Sequence, residues 1–122
     1  MEKKLKITLM ANTFLTRELG LMCRLPLKKT ECAFFDFKKS GKYSFWNKNV
    51  SFPISLIFCN EDLSIKQIAY LDKNQLNPVG SKTSDIRYVI EAHKELPSEM
   101  GLKEGDKIIV KDYEVLFDGI NS

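Results

Sequence analysis

Three arginines, one tryptophan and one asparagine carry most of the chemical potential of this 122-residue chain: Arg17, Arg24, Arg87, Trp46 and Asn49. A guanidinium fork grips a carboxylate or phosphate through two parallel hydrogen bonds, and the chain has three arginines against sixteen lysines. That scarcity makes the arginines better candidates than any lysine for holding a small anion. Each also has a plainer role, anchoring a loop or a helix C-terminus through carbonyls or an internal carboxylate. Asn49 has one too, fixing the turn ahead of Pro53.

A second chemistry is written in residues 38–49, KKSGKYSFWNKN, where Lys38, Lys39, Lys42 and Lys48 surround Tyr43, Phe45 and Trp46. Ammonium groups that track phosphates and rings that stack on bases are what a single-strand nucleic-acid binder uses. A hairpin tip kept soluble by lysines has the same composition. The net charge is only +3, and positive charge supplied by Lys rather than Arg reads as solubility more than as base recognition.

Other chemistries lack their residues. His93 is the single histidine, and Cys23, Cys32 and Cys59 are scattered, so no zinc-ligand spacing exists and no metal or cofactor is expected. A Cys–His nucleophile pair would have to assemble in space, and strand and turn contexts offer none of the usual thiol activation. Phosphate-cradling glycine loops and the nucleophile elbow are missing. The three cysteines are expected to be reduced, small buried hydrophobes. With 43% hydrophobic and 29% charged residues, no membrane-length apolar window and a polar start, the chain reads as a soluble cytoplasmic protein.

Short strands must position these residues. Leu5, Ile7 and Leu9 alternate with polar partners in a first strand, and Asn12 or Thr13 can cap a two-turn helix over 14–19 that Gly20 ends. The run at 32–37, the Ser40-Gly41 turn and residues 43–46 propose one hairpin. Residues 53–60 and 63–71, joined by Asn60-Glu61-Asp62, propose a second. Residues 72–85 form a long loop, and loops of that length are often functional. A strand over 86–92, a one-turn helix over 97–100 ended by Gly101, and strands KIIV and YEVLF complete the chain. Seven or eight short strands with two short helices, without regular strand–helix alternation, predict a mainly β (α+β) single domain over 1–122, a small compact β-barrel.

In order, RELGLMCR at 17–24, SFWNKN at 44–49, PISLIF at 53–58, RYVIEA at 87–92 and GLKEGDKI at 101–108 resemble the domain of unknown function 192 family. Its blocks look like R-x-x-G-L-M-x-R, F-W-M-K-N-T, P-L-D-I-x-F, R-Y-V-L-E and G-D, and the likeness covers about 5–110. The chain departs from them at Asn47 for Met, Val50 for Thr, Ser55 for Asp, and Cys32-Ala33 for Gly-Met. The family has no assigned activity, so the resemblance implies fold and motif positions but no reaction. It moves Phe45 and Trp46 from a lysine-rich patch to a signature block and so implies burial in the barrel wall. A shorter likeness, 90–110, is to the half-barrel unit of AbrB-type swapped-hairpin DNA-binding proteins, read as a shared barrel unit rather than as operator binding.

The leading expectation is a non-enzymatic module that binds a partner protein or small anionic ligand through the 72–85 loop and a rim containing the arginines. The alternatives are a nucleic-acid-associated protein using Lys28, Lys29, Lys38, Lys39, Lys42 and Lys48, and an enzyme of unknown reaction with a cleft near Arg24 and Trp46.

Overall fold

The computed structural model describes residues 3–117. Within them the order is β1 (Lys4–Ala11), α1 (Phe14–Leu19), β2 (Glu31–Gly41), β3 (Ser44–Phe45), β4 (Ile54–Cys59), β5 (Ile65–Leu71), β6 (Val79–Gly80), β7 (Ile86–His93), α2 (Leu96–Met100), β8 (Ile109–Lys111) and β9 (Glu114–Leu116). Seven strands make one sheet ordered β5-β4-β7-β2-β1-β9-β8, and β3 pairs with β6. The fold is mainly β with two short helices. The edges β5 and β8 share no continuous ladder; near them the chain meets itself at one isolated bridge, Ser64 with Lys107, flanked by the Ile65 N–H to Asp106 and Ile108 N–H to Leu63 carbonyl bonds of 2.8 and 3.0 Å.

Strands β2, β4 and β7 carry nearly unbroken apolar runs because both faces of the sheet are covered. Phe34, Ile57, Ile90 and Ala92 belong to one hydrophobic cluster; Ala33, Phe35, Leu56, Phe58 and Val89, their immediate neighbours in sequence, belong to the other. The second cluster exists because β1 and β2 run parallel. Parallel neighbours need a crossover rather than a tight turn. Residues 12–30 supply it, with Leu21 and Leu27 buried into that cluster.

Helix α1 opens this crossover. Thr13 and Thr16 form a reciprocal capping box, and Gly20 ends the helix at a φ of 48° that a side chain would strain. No residue of α1 is fully buried. The hairpin over 53–71 forms as expected, with Ile57 opposite Ile68 and the Asn60 Oδ1 accepting from the Asp62 and Ser64 amides. Pro97 sits in the first turn of α2 and left-handed Gly101 ends it.

The first expected hairpin does not form. Strand β2 runs on through Gly41 with its register broken between Asp36 and Gly41, where Lys38 has a φ of 70°. Tyr43 then stacks on Phe37 at 3.8 Å, while its amide donates to Ser81 Oγ and its carbonyl accepts from the Ser81 amide. Strand β3 therefore pairs with β6, Phe45 opposite Val79. The 72–85 loop is clasped by this pairing and by the buried Asn47, whose Nδ2 donates to the Phe52 and Asp72 carbonyls at 3.0 and 2.9 Å.

Candidate functional site

Beneath the crossover lies a cavity of about 330 Å³ between α1, β3 and the sheet. Its side wall is an aromatic cluster. Phe45 meets Phe35 edge-on at 5.2 Å and Phe37 at 5.9 Å, and Phe37 stacks on Tyr43. Two cations stand at this wall: the Arg17 guanidinium lies 5.6 Å over Phe37, and the Lys48 ammonium lies 5.3 Å over Trp46. Arg17 Nη1 also donates to the Asp36 carbonyl at 3.2 Å, which fixes the guanidinium against the wall and leaves its other N–H groups available.

The sheet contributes Glu91. On β7 it stands opposite Ala33 and Leu56, so it faces the crossover, and it is only 3% exposed. No hydrogen bond or ion pair from the described residues reaches its carboxyl. Burial pushes its pKa up to about 8, which keeps it protonated near neutral pH. The Cβ position built on Gly20 would lie 4.0 Å from Glu91 Oε1, so the bend after α1 passes directly over the carboxyl.

Of the five residues singled out by type, Arg17 and Trp46 line this cavity and Arg24, Asn49 and Arg87 do not. Trp46 is 48% exposed at its lining, which corrects the expectation of burial in the wall. The physical reason is that β3 is only two residues long, and the chain leaves the sheet at Trp46. Arg24 is exposed beside Cys23 in a separate depression of about 270 Å³, so a cleft shared by Arg24 and Trp46 does not exist among the described residues. Arg87 stacks 5.0 Å over Tyr88 and pairs with Asp36 at 3.4 Å. Asn49 is a left-handed turn residue, φ 58°, whose carbonyl accepts from the Cys23 amide.

Among the lysines, Lys48 lines the cavity; Lys38 pairs with Asp36 at 3.6 Å, Lys29 with Glu99 at 2.8 Å, and Lys28, Lys39 and Lys42 are exposed. None of the cavity lining comes from 72–85, and that loop is clasped behind β3. Ser55 Oγ, where the resemblance has Asp, donates to the Ala92 and His93 carbonyls as a structural group. Cys32 and Cys59 are buried, but Cys23 is exposed rather than packed. Residue type alone missed Glu91 and Asn47. A glutamate inside a strand apolar on both sides was the available signal for the first.

Three blocks of the family resemblance line the cavity, with Arg17 and Gly20 from the first, Phe45 to Lys48 from the second and Glu91 from the fourth, while Phe35, Phe37 and Tyr43 of its wall lie outside them. The DUF192 family model, described as an uncharacterized ACR, matches residues 2–110. The chain belongs to this family. As a DUF192 member it is similar to a protein of unknown function from Novosphingobium aromaticivorans DSM 12444, 27% identical over 80% of this chain and 70% of that one, with a TM-score of 0.76. It is also similar to a "putative transcription regulator" from Sinorhizobium meliloti 1021, 25% identical over 87% and 90% of the two chains, with a TM-score of 0.77. No curated protein matches it. Among the described residues no helix is long and apolar enough to cross a membrane.

Proposed function

We propose that this DUF192 protein is a non-enzymatic binding module of the cytoplasm whose site is the cavity under the crossover. Its ligand is a small molecule, or an aromatic side chain of a partner protein, with a flat apolar body against Phe35 and Phe45 and an anionic group at Arg17 and Lys48. The observation that carries this reading is the convergence of three separated family blocks on one aromatic-walled cavity with two cations at the wall. A volume of about 330 Å³ matches a compact ring-bearing ligand. Two buried, unpaired thiols fit a reducing compartment.

The experiment is a titration of Trp46 fluorescence with para-ethylbenzoate, which carries one ring and one carboxylate. Saturable change in wild type, weakened about tenfold in Arg17→Gln, supports the reading. No saturable change, or equal binding by Arg17→Gln, overturns it. The nucleic-acid reading keeps one supporting observation, the half-exposed Trp46 beside Lys48. Under that reading an oligonucleotide quenches Trp46 with an affinity that falls steeply with salt and with Lys48→Ala.

A further inference from the structure

From the position of Glu91 we infer that the inner end of the cavity recognises a cationic nitrogen, so that the ligand presents an ammonium to this carboxyl while its ring lies along the aromatic wall. The inference rests on the binding reading above and adds the chemistry of the ligand's buried end.

A carboxyl on the middle of a sheet, 3% exposed and without a partner among the described residues, is a poor structural element. Holding a carboxyl in so enclosed a site is unfavourable, and an apolar residue at the same position would pack against Ala33 and Leu56 without that cost; no fully enclosed side-chain oxygen or nitrogen of the described residues lacks a partner, so the Glu91 oxygens open onto the cavity. Glu91 stands out for the same reason that Gln67, also buried, does not. Gln67 is satisfied on both sides, donating to the Gly80 carbonyl and accepting from the Lys82 amide. Ser55 and Asn47 are likewise satisfied by backbone carbonyls. Glu91 lines the cavity, so a ligand can supply what the protein withholds.

The chemistry of that supply is narrow. An anion at the inner end would meet a carboxyl in a low-dielectric site. A neutral hydroxyl could donate one hydrogen bond. An ammonium does more, because it converts the carboxyl to a paired carboxylate and because ring faces such as Phe35 and Phe45 attract positive charge. The protein's own cations already lie over Phe37 and Trp46, which leaves the rings nearer the sheet for a ligand. The other titratable groups lining the cavity are Arg17, Glu18, Tyr43 and Lys48. The strands beside Glu91 present Ala33, Phe35 and Leu56, none of which titrates. An ammonium at Glu91 and an anionic group at Arg17 and Lys48 describe one ligand, zwitterionic, with a ring between its charges.

Four probes separate the two ends: para-ethylbenzoate, phenethylamine, phenethyl alcohol and para-(aminoethyl)benzoate, titrated by calorimetry into wild type and Glu91→Gln near neutral pH. Phenethylamine is expected to bind wild type about tenfold more tightly than phenethyl alcohol. Its binding should release close to one proton per site into the buffer, because the protonated carboxyl gives up its proton to pair with the ammonium, which keeps its own. Para-(aminoethyl)benzoate should bind tightest of the four. In Glu91→Gln the amine preference and the proton release should vanish. An alcohol that binds as tightly as the amine, or a preference that survives in Glu91→Gln, overturns the inference. If para-ethylbenzoate alone binds, the inference falls and the binding reading stands; if no probe binds, both fall.

Discussion

Ile90 and Glu91 are neighbours on β7 and look onto two differently finished faces of one sheet. Ile90 enters a cluster with Leu5, Phe34, Ile57 and Phe117 that is sealed by the sheet's own strands and by Leu96 of α2. Glu91 looks instead toward the crossover, a cover made of one short helix with no fully buried residue and an irregular segment pinned by Leu21 and Leu27. Strands that fold back on each other interdigitate and leave no room. A crossover that must span from one edge of a strand pair to the other lies over the sheet as a bridge, and in the space beneath it stand the Glu91 carboxyl, without a partner among the described residues, and the stacked cations. The difference teaches that one face of the sheet is packed shut while the other keeps a cavity.

The largest effect that sharpens the contrast is loss of packing on the sealed face. Ile57→Ala and Ile90→Ala should each destabilise the fold by about 2–5 kcal/mol in urea unfolding, since both sites are fully enclosed. Phe14→Ala on the crossover, where the ring is 72% exposed, should change stability by less than about 0.5 kcal/mol. A Phe14 variant as unstable as the isoleucine variants would erase the division.

Thiol reactivity sharpens it next. Burial pushes the pKa of Cys32 and Cys59 up to about 12, which makes their thiolates about a thousandfold scarcer and shields them from reagents. Cys23, on the crossover, is exposed. Iodoacetamide should label one thiol in the native protein, Cys23 by peptide mapping, and all three after unfolding. Native labelling of Cys59 would show that the sheet opens where it is described as sealed.

The pH dependence of stability isolates the cavity face. In the folded chain Glu91 holds its proton up to about pH 8, whereas in the unfolded chain it loses it near the ordinary carboxylate range. Between those values the native state binds more protons than the unfolded state, so the contribution of Glu91 is fully present at acid pH. It declines by roughly 1 kcal/mol per pH unit as pH rises through that window. Glu91→Gln lacks this decline. Its urea midpoint should gain on wild type steadily as pH is raised and stop gaining above the folded pKa. Parallel curves for the two proteins would mean that the carboxyl is solvated and the cavity is open water.

Where signals are local, the sequence reveals the elements. Asn60 at its turn, Pro97 and Gly101 around α2, and Thr13 with Gly20 around α1 each act within a few residues, and all are found where residue type placed them. Pairings between distant segments are not legible in this way. The Ser40-Gly41 turn signal is genuine as composition, but left-handed Lys38 and the register break carry β2 through it, and the partner of β3 lies in the loop beyond β5. The parallel pairing of β1 and β2 was equally hidden, and with it the reason a cavity exists. Arg17 and Trp46 were found by scarcity of type. Glu91 was passed over because one acidic residue in a strand looks like a solvent-facing position; only the apolar flanks Val89, Ile90 and Ala92, buried on both faces, mark it as enclosed.

Trp46 gives a small expected energy and the sharpest test of the open face. A ring in a closed barrel wall would lose roughly 3–5 kcal/mol on truncation to alanine. This ring is 48% exposed, stands where the chain leaves β3, lines the cavity and has the Lys48 ammonium over it. Trp46→Ala should therefore cost less than about 1 kcal/mol. Because it is the sole tryptophan, its emission needs no label. It should be red-shifted and quenched by acrylamide in the free protein, then shift to the blue and gain protection when para-ethylbenzoate fills the cavity beside it. Lys48→Ala should leave the free spectrum nearly unchanged, since the ammonium covers the ring without enclosing it. A blue-shifted, quencher-resistant Trp46 in the free protein, with a core-sized loss on truncation, would mean that β3 closes onto the sheet. There would then be no mouth through which a ligand reaches Glu91.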